Sequence, residues 1–284
     1  MELAVQRRFF AEEIEAVANV KTAALIEALA TVPRERFLPP GPWMLKSEMD
    51  LGAAPRLTPD ANPRRVHHNI AVGIDPARML FNGQPAFLAL LIDALALGPG
   101  SRVLHVGCGL GYYSAIIAHT VGPSGRVVAI DVDEALVVGA RANLSSVPWV
   151  EVHRSDGTAP LGDTFDAILV NAGVTHPPDN WLQALSADGR IILPITFASS
   201  AMGAIGKGTF VLVTRSGATF GAKAIAVTAI YSAVGVRDDA LNAAIGLALQ
   251  QNPLPRLTCL RRDDHERAAD CWLHGDTFCF SCRA

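Results

Sequence analysis

Three glycines at alternate positions, Gly107, Gly109 and Gly111, follow the apolar run Val103-Leu104-His105-Val106 and precede Tyr112 and a helical pattern. Such a run delivers a buried strand into a tight turn before a helix, where glycine lets the backbone bend sharply and lets a ligand approach with no Cβ in the way. Asp131 lies twenty residues beyond Gly111, at the end of the next strand pattern. A carboxylate there accepts hydrogen bonds from both ribose hydroxyls of a nucleoside cofactor. A glycine turn alone also serves plain strand-to-helix connections, and the paired acid is what marks this one as a cofactor site.

Two nucleoside cofactors compete for the site. A dinucleotide fingerprint counted from Gly107 places its third glycine at position 112, where close helix packing needs a tiny residue, and Tyr112 stands there instead. Gly-x-Gly-x-Gly suits a cofactor without a pyrophosphate, so the residues point to S-adenosyl-L-methionine and a methyltransferase. Its candidate ligands are Gly107, Cys108, Gly109, Gly111, Tyr112, Asp131 and Val132. Asp156-Gly157, after the third strand pattern, adds an acid for the exocyclic amine of adenine, although such a pair also makes ordinary turns. Asn171 ends the fourth strand pattern, where ligands sit in open α/β sheets.

Methyl transfer from a sulfonium needs chiefly alignment and exclusion of water. A carboxylate acceptor is already ionised at neutral pH, whereas a hydroxyl needs a base. His67, His68 and His176 are the candidates for that base, with His176 in the loop Asn171-Ala172-Gly173-Val174-Thr175-His176 named as the catalytic one. Ala172-Gly173-Val174 after Asn171 lack the Pro-Pro-aromatic segment that holds a planar amine, so oxygen is the expected acceptor.

The elements that position these residues follow from periodicity. Apolar residues at helical spacing from Gln6 to Ala30 predict one or two helices, and seven prolines between Val32 and Pro63 predict a fixed surface loop. Phe87–Leu97 reads as a helix. Strands at Arg102–Val106, Arg126–Asp131, Trp149–His153, Ala167–Asn171 and Arg190–Pro194 alternate with helices at Tyr112–Thr120, Glu134–Ser145 and Trp181–Ala187. This is an α/β pattern, a doubly wound Rossmann-like sheet, closed by an antiparallel hairpin of Thr209–Arg215 and Ala222–Tyr231 at the sheet edge. A helix at Asp239–Gln251 and a Cys-rich tail turning at His274-Gly275-Asp276 complete the chain. The boundaries expected are an acceptor-side layer over 1–85, a cofactor-binding core over 86–235 and an extension over 236–284.

The 284 residues are half apolar, with a net charge of −3 and no cluster of basic residues, which disfavours nucleic acid as partner. No apolar stretch is long enough for a membrane span and the start lacks a signal-peptide pattern, so a cytoplasmic protein is expected. Five cysteines without such a signal predict reduced thiols. Cys271-x-x-His274 and Cys279-x-x-Cys282 have ligand chemistry for zinc, but the four residues between His274 and Cys279 are a short spacer, and no metal is assigned. The oligomeric state is not legible.

With these residues in place, the chain resembles the protein-L-isoaspartate O-methyltransferase family, which repairs damaged aspartyl residues by esterifying the misplaced carboxylate. The resemblance runs from about Val32 to Pro194. It rests on Val32-Pro33-Arg34-Glu35-Arg36-Phe37-Leu38-Pro39, Gln84-Pro85, the glycine run, Ser155-Asp156-Gly157, Phe165-Asp166-Ala167-Ile168-Leu169-Val170 and Ile191–Pro194. It adds Gln84 to the cofactor set and places Asn82 and Gly83 at the acceptor. Repair enzymes carry Thr-x-Ser before Gln-Pro, with hydroxyls near the acceptor carboxylate, whereas here the positions read Phe81-Asn82-Gly83. The departure implies an acceptor other than isoaspartate: a carboxylate or hydroxyl of a peptide or small metabolite. Genuine isoaspartyl repair and a non-catalytic cofactor-binding module are the alternatives.

Overall fold

The computed structural model describes residues 2–47, 54–159 and 162–283. Two amphipathic helices open the chain, α1 (Leu3–Ala18) and α2 (Ala23–Thr31), followed by short strands β1 (Met44–Lys46), β2 (Arg56–Leu57), β3 (Ala71–Asp75) and β4 (Leu80–Phe81). Pro85 begins helix α3 (Pro85–Ala94), a position where its missing N–H costs nothing. The alternating part comprises β5 (Arg102–Val106), α4 (Tyr112–Val121), β6 (Arg126–Asp131), α5 (Glu134–Leu144), β7 (Val150–Arg154), β8 (Phe165–Val170), α6 (Asp179–Gln183) and β9 (Leu185–Phe197). The remainder is β10 (Ile205–Ser216), β11 (Thr219–Tyr231), α7 (Asp239–Gln251), β12 (Cys259–Arg261), β13 (Cys271–His274) and β14 (Cys279–Ser281). Among the described residues no helix is long and apolar enough to cross a membrane.

The chain divides into two compact units, Met1–Ser101 with Cys108–His153, and Arg102–Gly107 with Arg154–Ala284. The boundaries expected near 85 and 235 are not where this division falls. The reason lies in β5, whose parallel partner is β8, so that Val103 pairs with Ala167 and Val106 with Val170. Strand β5 therefore groups with chain more than sixty residues further on.

In the first unit, α1 buries Phe10, Ala11 and Ile14, and α2 buries Leu25, Ala28 and Leu29. The Asp93 carboxylate accepts from the N–H groups of Lys21 and Thr22 and so ties the start of α2 to α3. The segment Val32–Pro63 departs from expectation, and its residues 48–53 lie outside the described residues. It contributes strands β1 and β2 to a small antiparallel sheet ordered β2-β1-β3-β4, and Trp43 and Leu45 pack into a core with Val66 and Val72. Its prolines flank these strands rather than interrupt them, which is why a proline count alone reads as loop. Arg34 is fully buried beside this sheet. Its Nη1 donates to the carbonyls of Val66 at 2.8 Å and His68 at 3.2 Å. Its Nη2 donates to the carbonyl of Ile70 at 2.8 Å and to Asn82 Oδ1 at 3.0 Å. One guanidinium thus fixes the course of residues 66–82, although burial lowers its proton affinity.

In the second unit the strands run in the order β13-β14-β12-β11-β10-β9-β8-β5. Strands β5, β8 and β9 are parallel, with Ile168 opposite Ile191, and β9, β10 and β11 are antiparallel. The hairpin β10–β11 turns at Gly217, as the Ser216-Gly217 pair predicts, but it is not the edge: β12 pairs with β11 at Gly221–Cys259, and β14 and β13 follow. Helix α6 ends at Gln183 rather than at Ala187, because Leu185 already pairs with Phe165 as the start of β9.

Replacing Arg34 with Met keeps the side-chain length and removes all four hydrogen bonds inside a dry core. The substitution lowers stability by ~3 kcal/mol and the unfolding midpoint by roughly 5–10 °C. A midpoint unchanged in a thermal melt contradicts the assignment of Arg34 as the organiser of this segment.

Candidate cofactor and acceptor site

The glycine run forms the expected turn between β5 and α4, with left-handed φ at Gly107 (76°), Gly109 (56°) and Gly111 (91°). A Cβ at Gly107 would lie 3.2 Å from the Asn171 carbonyl oxygen, and one at Gly111 would lie 2.8 Å from Leu144 Cδ1. Any other residue at either position is therefore strained by backbone conformation and crowded by neighbours together. Asp131 Oδ2 accepts from the Gly109 N–H at 2.9 Å and Oδ1 accepts from the Asp133 N–H at 3.1 Å. Each oxygen keeps a second lone pair, so the carboxylate braces the loop and still has acceptors for a pair of hydroxyls. Asp133 then caps α5 by accepting from the Leu136 N–H at 3.0 Å.

Cys108 meets the loop through its backbone and through its thiol, which lies 3.7 Å from the Gly109 carbonyl. Its N–H donates to the Ile130 carbonyl at 3.0 Å, and burial together with the Asp131 charge pushes its thiol far up, which keeps it protonated and inert. The Tyr112 ring is given to the core of the first unit, with centroids 5.7 Å from Phe37 and the Arg34 guanidinium 5.8 Å above its face. Val132 is 39% exposed beside Asp131. Gln84 precedes α3, with its Nε2 at 3.4 Å from the Asn69 carbonyl. Asn69, which the sequence did not single out, caps α3 by accepting from the Ala86 N–H at 2.9 Å.

In the second unit Asp156 Oδ1 accepts from both the N–H and the hydroxyl of Thr158, at 2.9 and 2.7 Å, and these bonds hold its carboxyl below the ordinary range. The Gly157 carbonyl accepts from Asn180 Nδ2 and from Trp181 Nε1, so α6 fixes the Asp156-Gly157 turn. Asn171 lies at the end of β8 with its Nδ2 at 2.9 Å from His105 Nε2, while its buried Oδ1 has no partner among the described residues. Burial pushes His105 down to about 3, so it is neutral and accepts this bond. A histidine inside an apolar strand was the available signal for this pair.

Of the two residues expected at the acceptor, Asn82 Oδ1 accepts from Arg34 and from the Val72 N–H, both at 3.0 Å, and Asn82 Nδ2 is buried without a partner among the described residues. Gly83 has φ of 77°, and a Cβ there would lie 2.8 Å from Leu88 Cδ2. A serine here would sit on a left-handed backbone and displace Leu88. The histidines are placed differently from expectation. His67 is buried, with Nε2 at 2.9 Å from Glu35 Oε2. His68 is exposed and gives its carbonyl to Arg34. His176 Nδ1 lies 3.0 Å from the Thr175 hydroxyl and its ring stacks on Phe278 in the tail; burial lowers its proton affinity, with Asp238 and Asp179 opposing.

A Rossmann-like α/β sheet with a left-handed glycine turn braced by a carboxylate is the framework of a methyltransferase that uses S-adenosyl-L-methionine. The sequence profile of the family described as Protein-L-isoaspartate(D-aspartate) O-methyltransferase matches residues 56–210. A protein-L-isoaspartate O-methyltransferase of Methylorubrum populi is 34% identical over 202 residues, covering 70% of this chain and 80% of that one. One of Methanopyrus kandleri is 28% identical over 198 residues, covering 66% and 76%. The fold is that of a solved protein-L-isoaspartate O-methyltransferase, with TM-score 0.63 and 23% identity over 87% of this chain and 69% of the other. A Plasmodium falciparum structure named as a complex with S-adenosyl-L-homocysteine gives TM-score 0.58 at 16% identity, covering 80% and 98%. The chain belongs to the protein-L-isoaspartate O-methyltransferase family, and it is an enzyme.

Gly83→Ser restores the family's hydroxyl against the local backbone. It costs about 1–2 kcal/mol through the left-handed φ alone and displaces Leu88, so the thermal midpoint falls by several degrees. A Gly83→Ser variant as stable as the parent contradicts the reading that this departure is built into the backbone.

Proposed function

We propose that the protein methylates the side-chain carboxylate of an isoaspartyl residue in a peptide or protein. The observation that carries this reading is the state of the histidines. His67 is taken by Glu35 and His176 by Thr175, so the strongest base candidates for a hydroxyl acceptor are engaged internally. A carboxylate needs none. The curated relatives are named for the same reaction, which supports the same acceptor. In the proposed step a carboxylate oxygen attacks the methyl carbon in line, the carbon–sulfur bond breaks, and its electron pair returns to sulfur as the neutral thioether, with no proton transferred. Gly109, Gly111 and Asp131 are assigned to the nucleoside, and Asn82 Nδ2 is a spare donor on the acceptor side. The setting is cytoplasmic, in keeping with five cysteines that all stand as free thiols.

A second reading rests on Phe81 and Gly83, which lack the family's hydroxyls: the acceptor is a different carboxylate, on a modified peptide or a metabolite. Transfer of labelled methyl to an isoaspartyl peptide and to its aspartyl twin separates the two. Base-labile label on the isoaspartyl peptide alone is the expected result. Label on neither peptide, from protein that binds S-adenosyl-L-homocysteine, overturns isoaspartyl repair in favour of the second reading.

A further inference from the structure

The tail brings together four side chains that the methyltransferase reaction does not use. His265, Cys271, His274 and Cys279 each offer a ligand atom, and these atoms lie within 4.8 Å of one another. We propose that they form a tetrahedral Cys2His2 zinc site that fastens the β13–β14 hairpin to the loop before it. Zinc–sulfur and zinc–nitrogen bonds of about 2.3 and 2.0 Å put neighbouring ligands of a tetrahedron ~3.3–3.8 Å apart. The Cys271 Sγ to His265 Nε2 separation is 3.8 Å, and the rest of the cluster needs only a small contraction.

The backbone explains how residues at this spacing converge. On a regular strand Cys271 and His274 point to opposite faces, because side chains alternate. The β13–β14 register slips between Cys271 and Leu273, and an extra residue on one strand returns the two to the same face. His274 pairs directly with Cys279 across the hairpin, which places the third ligand. The short spacer from His274 to Cys279 is therefore the hairpin turn itself, closed by the Gly275 N–H donating to the Phe278 carbonyl. The fourth ligand is His265 from the β12–β13 loop, in place of the exposed Cys282 that the Cys-x-x-Cys spacing suggests.

The surroundings are those of a metal shell. His265 Nδ1 is 2.9 Å from the Asp263 carbonyl, so its N–H donates there and Nε2 is left as the lone pair facing Cys271. The Ala268 N–H donates to Cys271 Sγ at 3.3 Å, a bond that favours a thiolate. His274 Nδ1 is buried with no partner among the described residues. With four protein ligands the site is closed, which makes it structural rather than catalytic.

The test is metal content and cobalt substitution on the full chain. Protein expressed with zinc and dialysed against a weak chelator is expected to keep about one zinc per chain, and Co2+ in its place is expected to give tetrahedral d–d bands with thiolate charge transfer. Cys271→Ser and His265→Ala are each expected to weaken retention at least ~10-fold, and Cys282→Ser to leave it unchanged. The wild-type cobalt spectrum decides the matter even where a variant fails to fold. Absence of both zinc and the cobalt bands overturns the site. So does a Cys271–Cys279 disulfide in the intact mass, or metal that follows Cys282 instead of Cys271.

Discussion

A side chain at Gly107 or Gly111 would be strained by the left-handed backbone and crowded by its neighbours, and the cofactor assignment depends on that constraint. Three residues with left-handed φ in a space of five turn the chain sharply, and the turn is tied by the Cys108 N–H to Ile130 and by the Gly109 N–H to Asp131. The neighbours are arranged around the bare backbone: the Asn171 carbonyl closes over Gly107 and Leu144 of α5 over Gly111. The same absence of Cβ atoms that lets the helix pack lets a nucleoside approach.

A second polar node governs the segment that carries Asn82 and Gly83. The buried Arg34 guanidinium donates to three carbonyls and one amide oxygen between residues 66 and 82. Asn82 is part of this node, so its carbonyl end is structural and only its amide nitrogen remains for function. This explains how the chain departs from the family at Phe81 and Gly83 and still keeps the Gln84-Pro85 start of α3 in place. The position of the segment is set from Arg34, Asn69 and the β3–β4 pairing rather than from the lost hydroxyls.

Periodicity and glycine spacing made the alternating elements, the left-handed glycine turn and the tail hairpin legible in the sequence, because each follows from a pattern along a few residues of chain. What was not legible depends on contacts across long separations. The strand at Met44–Lys46 exists because Ala71–Val72 lies along one side of it and Arg56–Leu57 along the other, and nothing local distinguishes these strands from a proline-rich loop. His67 reads as a free base until Glu35, thirty-two residues earlier, is found against it. His105 reads as an odd residue in a strand until Asn171 arrives from β8. In the tail, a register slip of one residue decides which cysteines and histidines share a face, and no spacing rule on the sequence contains it.

The central claim is that the loop at Gly107–Gly111 and the acid at Asp131 hold S-adenosyl-L-methionine. Calorimetric titration of S-adenosyl-L-homocysteine into the parent protein and into Asp131→Asn tests it most directly. The account predicts one site in the parent and binding weaker by roughly 10–100-fold in the variant, the loss of charged hydrogen bonds to a ribose. Equal affinity in both proteins, or no heat in either, contradicts it.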